Sequence, residues 1–164
     1  MSVRLFSLVV GIGYSILGIL GLISAFVEPS QTVPRIMSEV GVTQGFGYLF
    51  GLLPVNVFEG FVYLVIGVCG IAAYSGNEVV SRLYAQFLGV WLGFLAVLGC
   101  IPIANTLFGL MPIYGNDVWL HLATAIPAAY FGFAQDKGRL GKDPSAPQDL
   151  GEPFDVKGAP PYTN

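Results

Sequence analysis

Charge is what this sequence has least of. Only 10% of its 164 residues are Asp, Glu, Lys or Arg, where a soluble domain carries about a quarter. Nine of those 17 charges fall within residues 136–164, which leaves eight for the first 135 residues. A stretch so poor in charge would cover a soluble surface with apolar side chains, which excludes a free globular enzyme. Basic residues are scarce as well. Seven stand against ten acids, with a net charge of −3 and a pI near 4.9. No basic stripe exists to release phosphate counterions, so nucleic acid is excluded as a partner. The only two cysteines, Cys69 and Cys100, sit in apolar runs with no second Cys or His at ligand spacing. Neither a zinc site nor a disulfide scaffold follows, and both read as buried, unbridged thiols. A single histidine, His121, supplies neither bis-histidine haem ligation nor a three-histidine metal site. The sequence requires no cofactor and leaves the identity of any ligand unknown.

What the sequence has in abundance is apolar length. Four windows, at about residues 5–27, 57–74, 83–101 and 118–133, approach or reach the roughly 20 residues that cross a hydrocarbon core. Pro127 predicts a kink in the last of them. The first is longer than the usual apolar core of a secretory signal, and Ser24-Ala25-Phe26 makes a poor cleavage site, so it reads as a retained helix. The expected fold is all-α: residues 1–134 form an integral membrane four-helix bundle, and residues 135–164 a Pro-rich, charged cytoplasmic tail. An even number of spans places both termini on one side with the loop at residues 75–82. That side collects Arg4, Arg82, Lys137, Arg139 and Lys142, so both ends are expected in the cytoplasm.

The first outer loop, residues 28–56, is long. Val33, Ile36, Met37 and Val40 recur at helical spacing between Pro34, suited to a first turn, and Gly41, suited to a stop. A short interfacial helix is expected there. Phe46, Tyr48 and Phe50 follow as an aromatic cluster of the kind that anchors at headgroup depth. In the tail, Pro144, Pro147, Pro153, Pro160 and Pro161 alternate with charge and glycine, a composition that buries too little to fold alone. It is either a solvating tail or an arm that orders on a partner.

The chain also repeats itself. Leu49-Phe50-Gly51-Leu52-Leu53-Pro54-Val55 is matched by Leu107-Phe108-Gly109-Leu110-Met111-Pro112-Ile113, and Gly11, Gly18 and Gly21 correspond at identical spacing to Gly89, Ala96 and Gly99. The expected architecture is two helix hairpins related by a pseudo-twofold axis along the membrane normal, with about 20 extra residues in the first outer loop. Small-xxx-small pairs, Gly89 with Gly93 and Gly21 with Ala25, point to close helix packing, within the bundle, between copies or against a larger membrane protein.

The repeat carries a polar pair in each copy. Five residues beyond the repeated proline stand Glu59 and Asp117, and nine beyond stand Tyr63 and His121, each pair on one helix face. Capping accounts for the acids: Asn56 and Glu59 have capping-box spacing, and Asn116 or Asp117 can cap the fourth helix. His121 lies one turn into an apolar helix, where an ionisable group is costly and usually paired. Its expected partner is Asp117 or Tyr63. The sharper alternatives are a proton-linked switch or a ligand to a pigment or haem.

These loops, with Asn56 after the first and Asp117-Val118-Trp119-Leu120-His121 after the second, resemble a family of small four-helix bacterial membrane proteins whose domain has no known function. The resemblance spans roughly residues 5–133. It implies a fold and a membrane location but no activity. The family tends to have histidines after both loops, whereas Glu59 and Tyr63 occupy the first set of places here. Two function classes follow. One is a non-enzymatic structural or accessory subunit embedded in the bilayer, touching a larger membrane complex or itself. The other is a small-molecule or pigment binder using His121. A channel or transporter is disfavoured because the spans lack the charges that mark ion pathways.

Overall fold

The computed structural model describes residues 1–134, and the expected tail lies outside the described residues. Helix α1 (Val3–Leu22) starts where Ser2 Oγ accepts the Leu5 amide at 3.2 Å. Its buried face is Val3, Ser7, Gly11, Tyr14, Gly18 and Gly21, while Leu5, Val9, Ile12, Ile16 and Ile19 face outward. Apart from the exposed Arg4 both faces are uncharged, and the buried one mixes large Phe6 and Tyr14 with small Ser7, Gly11, Gly18 and Gly21. The small residues on that face let neighbouring backbones touch.

Beyond α1 come a 3-10 turn (Ser24–Phe26), strand β1 (Val27–Pro29), the short helix α2 (Arg35–Val40), and strands β2 (Gly47–Leu49) and β3 (Leu53–Val55). Helix α3 (Val57–Ser75) returns along α1, and α4 (Glu78–Gly99) begins after only Gly76 and Asn77, with Asn77 Oδ1 accepting the Val80 amide at 3.0 Å. Helix α5 (Asn116–Ala129) runs on as a π turn (Tyr130–Ala134). The closest packing joins α1 to α3 and α4 to α5, and Leu88, Leu92 and Leu95 of α4 lie at the centre of the core.

The helix pairs touch through glycine. A Cβ on Gly11 would stand 2.7 Å from Ile71 N, and one on Gly18 only 2.5 Å from Leu64 N. Gly89 lies against Ala128 and Ala129, Gly21 against Val55 and Gly60, and Gly99 against Ile113 and Val118. Gly93 is different. A Cβ there would sit 3.9 Å from the Ala125 Cβ, an ordinary contact, so the expected pairing of Gly89 with Gly93 rests on Gly89 alone. Gly21 and Ala25 share no helix face, because Ala25 lies in the 3-10 turn and is exposed.

Several boundaries differ from the hydropathy windows. The first helix ends at Leu22, five residues before the apolar run does, since Val27 is taken into a strand by pairing with Leu49. The three strands form an antiparallel sheet, β1-β2-β3, which an all-α reading misses. Helix α4 begins five residues early, because Asn77 provides a cap inside a polar stretch. Pro127 leaves the helix intact, and the missing amide coincides with widening into the π turn at Tyr130 rather than a break. Helix α2 matches the expected segment, with Pro34 as its N-cap. It does not lie free on a surface: Met37 is fully buried, Gly41 rests on Gly109, and the Val42 amide donates to Gly109 O at 2.9 Å. In the aromatic cluster Phe46 is buried, Tyr48 half-buried and Phe50 exposed, so only Phe50 is placed as an anchor. The cysteines are free as expected, but both are exposed rather than buried. An apolar sequence around a thiol places it on the bundle's outer apolar surface as readily as in its core.

One end of the bundle gathers the N-terminus, the α3–α4 turn and Gly132. Arg4 donates to Tyr74 O at 2.8 Å, and Gln86 Nε2 donates to Gly132 O at 3.0 Å. The sheet, α2 and the second loop form a cap at the opposite end. The repeated Phe-Gly turns keep one backbone twist there, Phe50 and Gly51 at φ 52° and 70°, Phe108 and Gly109 at φ 56° and 94°, yet one closes a hairpin and the other a 3-10 turn. The first has β1 to pair with, supplied by its longer loop.

Candidate functional site

Helices α3 and α5 both start at the cap, so residues one turn into each reach the same depth. There Glu59, Tyr63, Asp117 and His121 converge, with Glu59, Asp117 and His121 fully buried and Tyr63 only 3% exposed. The Tyr63 hydroxyl donates to Asp117 Oδ1 and stands 3.2 Å from Glu59 Oε1. His121 Nδ1 stands 3.3 Å from Asp117 Oδ2, and its ring meets that of Tyr63 edge-on at 6.3 Å. Glu59 Oε2, Asp117 Oδ2 and both imidazole nitrogens have no well-directed hydrogen bond.

The capping expectations divide. Asn56 is the N-cap of α3, its Oδ1 accepting the Glu59 amide at 2.8 Å. The return half of the box is absent, because the Glu59 carboxyl turns to Tyr63 instead. Helix α5 has Gly115 as N-cap with no side-chain cap, so neither Asn116 nor Asp117 caps it. Asp117 is drawn into the core by Tyr63, and Asn116 reaches across to donate to Leu52 O at 3.1 Å.

Three participants escaped the sequence reading. Tyr14 of α1 meets Tyr63 edge-on at 5.2 Å and donates to Thr124 Oγ1 at 3.1 Å, linking a third helix to the cluster. Thr124 itself was the second. Both are polar groups within apolar helices, and that is the signal that would have found them. The third is the Asn56 amide nitrogen, which donates at 2.8 Å to Val42 O and to Leu110 O and so ties both outer loops to the start of α3.

Among the described residues no group of three or more His, Cys, Asp or Glu side chains is arranged to hold a metal ion. Three clefts open on the cap, and none is lined by the four clustered residues. The cluster is a buried polar joint between α3 and α5. Fold and site together define a mostly helical protein in which, among the described residues, three helices, Val3–Leu22, Val57–Ser75 and Glu78–Gly99, are long and apolar enough to cross a membrane.

Within that class the chain belongs to the family described as Domain of unknown function (DUF4383), whose model matches residues 4–134. The resemblance carried by the repeated loops thus holds. No curated protein and no solved structure matches the chain.

Proposed function

We propose that this is a four-span integral membrane protein, two repeated hairpins joined by a buried polar clasp, that serves as a non-enzymatic structural or accessory subunit. The observation that carries the reading is the direction of its side chains. Apolar groups such as Phe61, Val68, Phe87, Val90 and Phe94 face outward along the helices, while the polar groups at membrane depth face inward and are engaged with one another.

A fourth span is supported by the run from α5 through the π turn, residues 116–134, about the length a bilayer needs. The repeat is supported by the glycine contacts. Ala128 and Ala129 lie as far along the chain from Gly70 and Ile71 as Pro112 does from Pro54, and Ile113 and Val118 keep the same offset from Val55 and Gly60. Arg4 and Arg82 belong to the end opposite the cap, which the positive-inside rule assigns to the cytoplasm along with both termini. The cap then faces outward.

A second reading, His121 as ligand to a small molecule or pigment, draws on its two unpartnered ring nitrogens. Its complete burial weighs against that. Isolation in mild detergent followed by absorption spectroscopy and mass spectrometry separates the two. A stoichiometric larger membrane protein and no visible band are expected. A chromophore that disappears in His121→Phe would overturn the accessory-subunit reading.

A further inference from the structure

The extra residues of the first outer loop build something that its shorter counterpart does not. Two adjoining clefts of about 290 and about 390 Å³ open on the cap and share Tyr48 and Tyr114 as a common wall. Together they fall in the range of small-molecule sites. Residues of that loop supply Thr32, Val33, Pro34 and Tyr48 on one side, and residues preceding and opening α5 supply Tyr114, Gly115 and Asn116 on the other. An insertion confined to one copy and forming one wall of a cleft is the pattern of a binding loop on a structural scaffold.

The lining defines the ligand. It contains no Lys, Arg, Asp or Glu. Its polar groups are neutral: the amides of Asn105 and Asn116, the Thr32 hydroxyl and two phenols. Burial, together with the neighbouring Tyr48 phenol, raises the Tyr114 phenol well above its ordinary pKa, so it stays uncharged. Register places Glu28, Tyr48 and Pro54 in one cross-strand row, and the Glu28 carboxylate lies against Gly51 at the rim. An acid at the rim repels phosphate. The nearest base along the chain, Arg35, is occupied by Glu39 at 2.7 Å. Aromatic rings for stacking, amides and hydroxyls for multiple neutral hydrogen bonds, and one acid able to accept from a hydroxyl suit a polyhydroxylated, uncharged molecule.

We infer that this double cleft is a binding site for a neutral saccharide, presented either as a glycolipid headgroup or as a free glycan. The inference rests on the cap facing outward, as proposed above, but the binding itself does not depend on orientation and is measured on purified protein.

The full chain in detergent is titrated with methyl glycosides and followed by saturation-transfer NMR, and in parallel is placed in nanodiscs with and without a glucosyl-diacylglycerol. Saturation transfer to sugar ring protons is expected, about tenfold weaker in Tyr114→Ala, as loss of one good contact implies. Thr32 is exposed, so Thr32→Trp obstructs the cleft without disturbing the core and guards against a folding artefact. Binding of soluble glycosides points to a free glycan, and binding only in glycolipid nanodiscs points to a headgroup. Absence of both, binding unchanged in Thr32→Trp, or displacement of the sugar by choline, which would mark a cation-binding aromatic site, overturns the inference. A reporter fusion tests the orientation separately.

Discussion

Tyr63→Phe removes one oxygen from the buried clasp and little else. The ring's edge-on contacts with Tyr14 at 5.2 Å and His121 at 6.3 Å survive, so packing is preserved and the change isolates the hydroxyl. That hydroxyl is the donor to Asp117 and lies within reach of Glu59. Apart from His121 beside Asp117, no basic side chain stands in for it: Arg4 is engaged at the opposite end and Arg35 is paired with Glu39. Leaving a buried acceptor without its donor costs about 1–3 kcal/mol, more when it is charged. At about 2–4 °C per kcal/mol for a chain of this size, the melting temperature in detergent should fall by roughly 2–12 °C. Thermal unfolding followed by circular dichroism gives the shift, and a double-mutant cycle with Asp117→Asn gives the pairwise part, expected at about 0.5–3 kcal/mol. If Tyr63→Phe melts with the parent and the cycle closes to zero, the clasp contributes nothing and α3 and α5 are held by packing alone.

Four further outcomes are expected. His121→Phe should lower the melting temperature through loss of its contact with Asp117, at a cost of order 1–3 kcal/mol, and an unchanged melting temperature would remove His121 from the clasp. Gly18→Val should destabilise by about 1–3 kcal/mol or more, since its Cβ would meet the Leu64 backbone, while Gly93→Ala, whose Cβ would make only an ordinary contact with Ala125, should be neutral or stabilising by a few tenths to about 1 kcal/mol. The comparison by thermal melting fails if the two behave alike. Asn56→Ala deletes a cap and two carbonyl contacts at once, so it should cost at least the roughly 0.5–2 kcal/mol of a lost cap and should raise amide exchange in the outer loops. Finally, Cys69 and Cys100 should show no gel shift on reduction, and both should react with a lipid-soluble maleimide, because both are free and exposed.

Much of this protein was determined by its sequence alone, because the property concerned is local and additive. Mean apolarity over about 20 residues selects a helix able to cross a bilayer whatever it packs against, and three such helices stand where the composition put them, two of them with one end displaced by five residues. Glycine spacing on α1 was equally legible, since only a residue without a side chain lets Ile71 and Leu64 come so near. The repeated proline also set Glu59 and Asp117 at matching distances into their helices, and Tyr63 and His121 one turn further. What those residues do there was decided by partners distant in the chain. Asp117 caps nothing because Tyr63, 54 residues away, binds it, and a capping pattern cannot record that competitor. Val27 leaves an apolar run for a strand because Leu49 is beside it. Three-residue strands carry no period of their own and exist only as pairs. The exposure of Cys69 and Cys100 was hidden for a related reason. When both faces of a helix are apolar, hydropathy no longer distinguishes inside from outside, and the close approach of a neighbouring backbone decides which face turns inward.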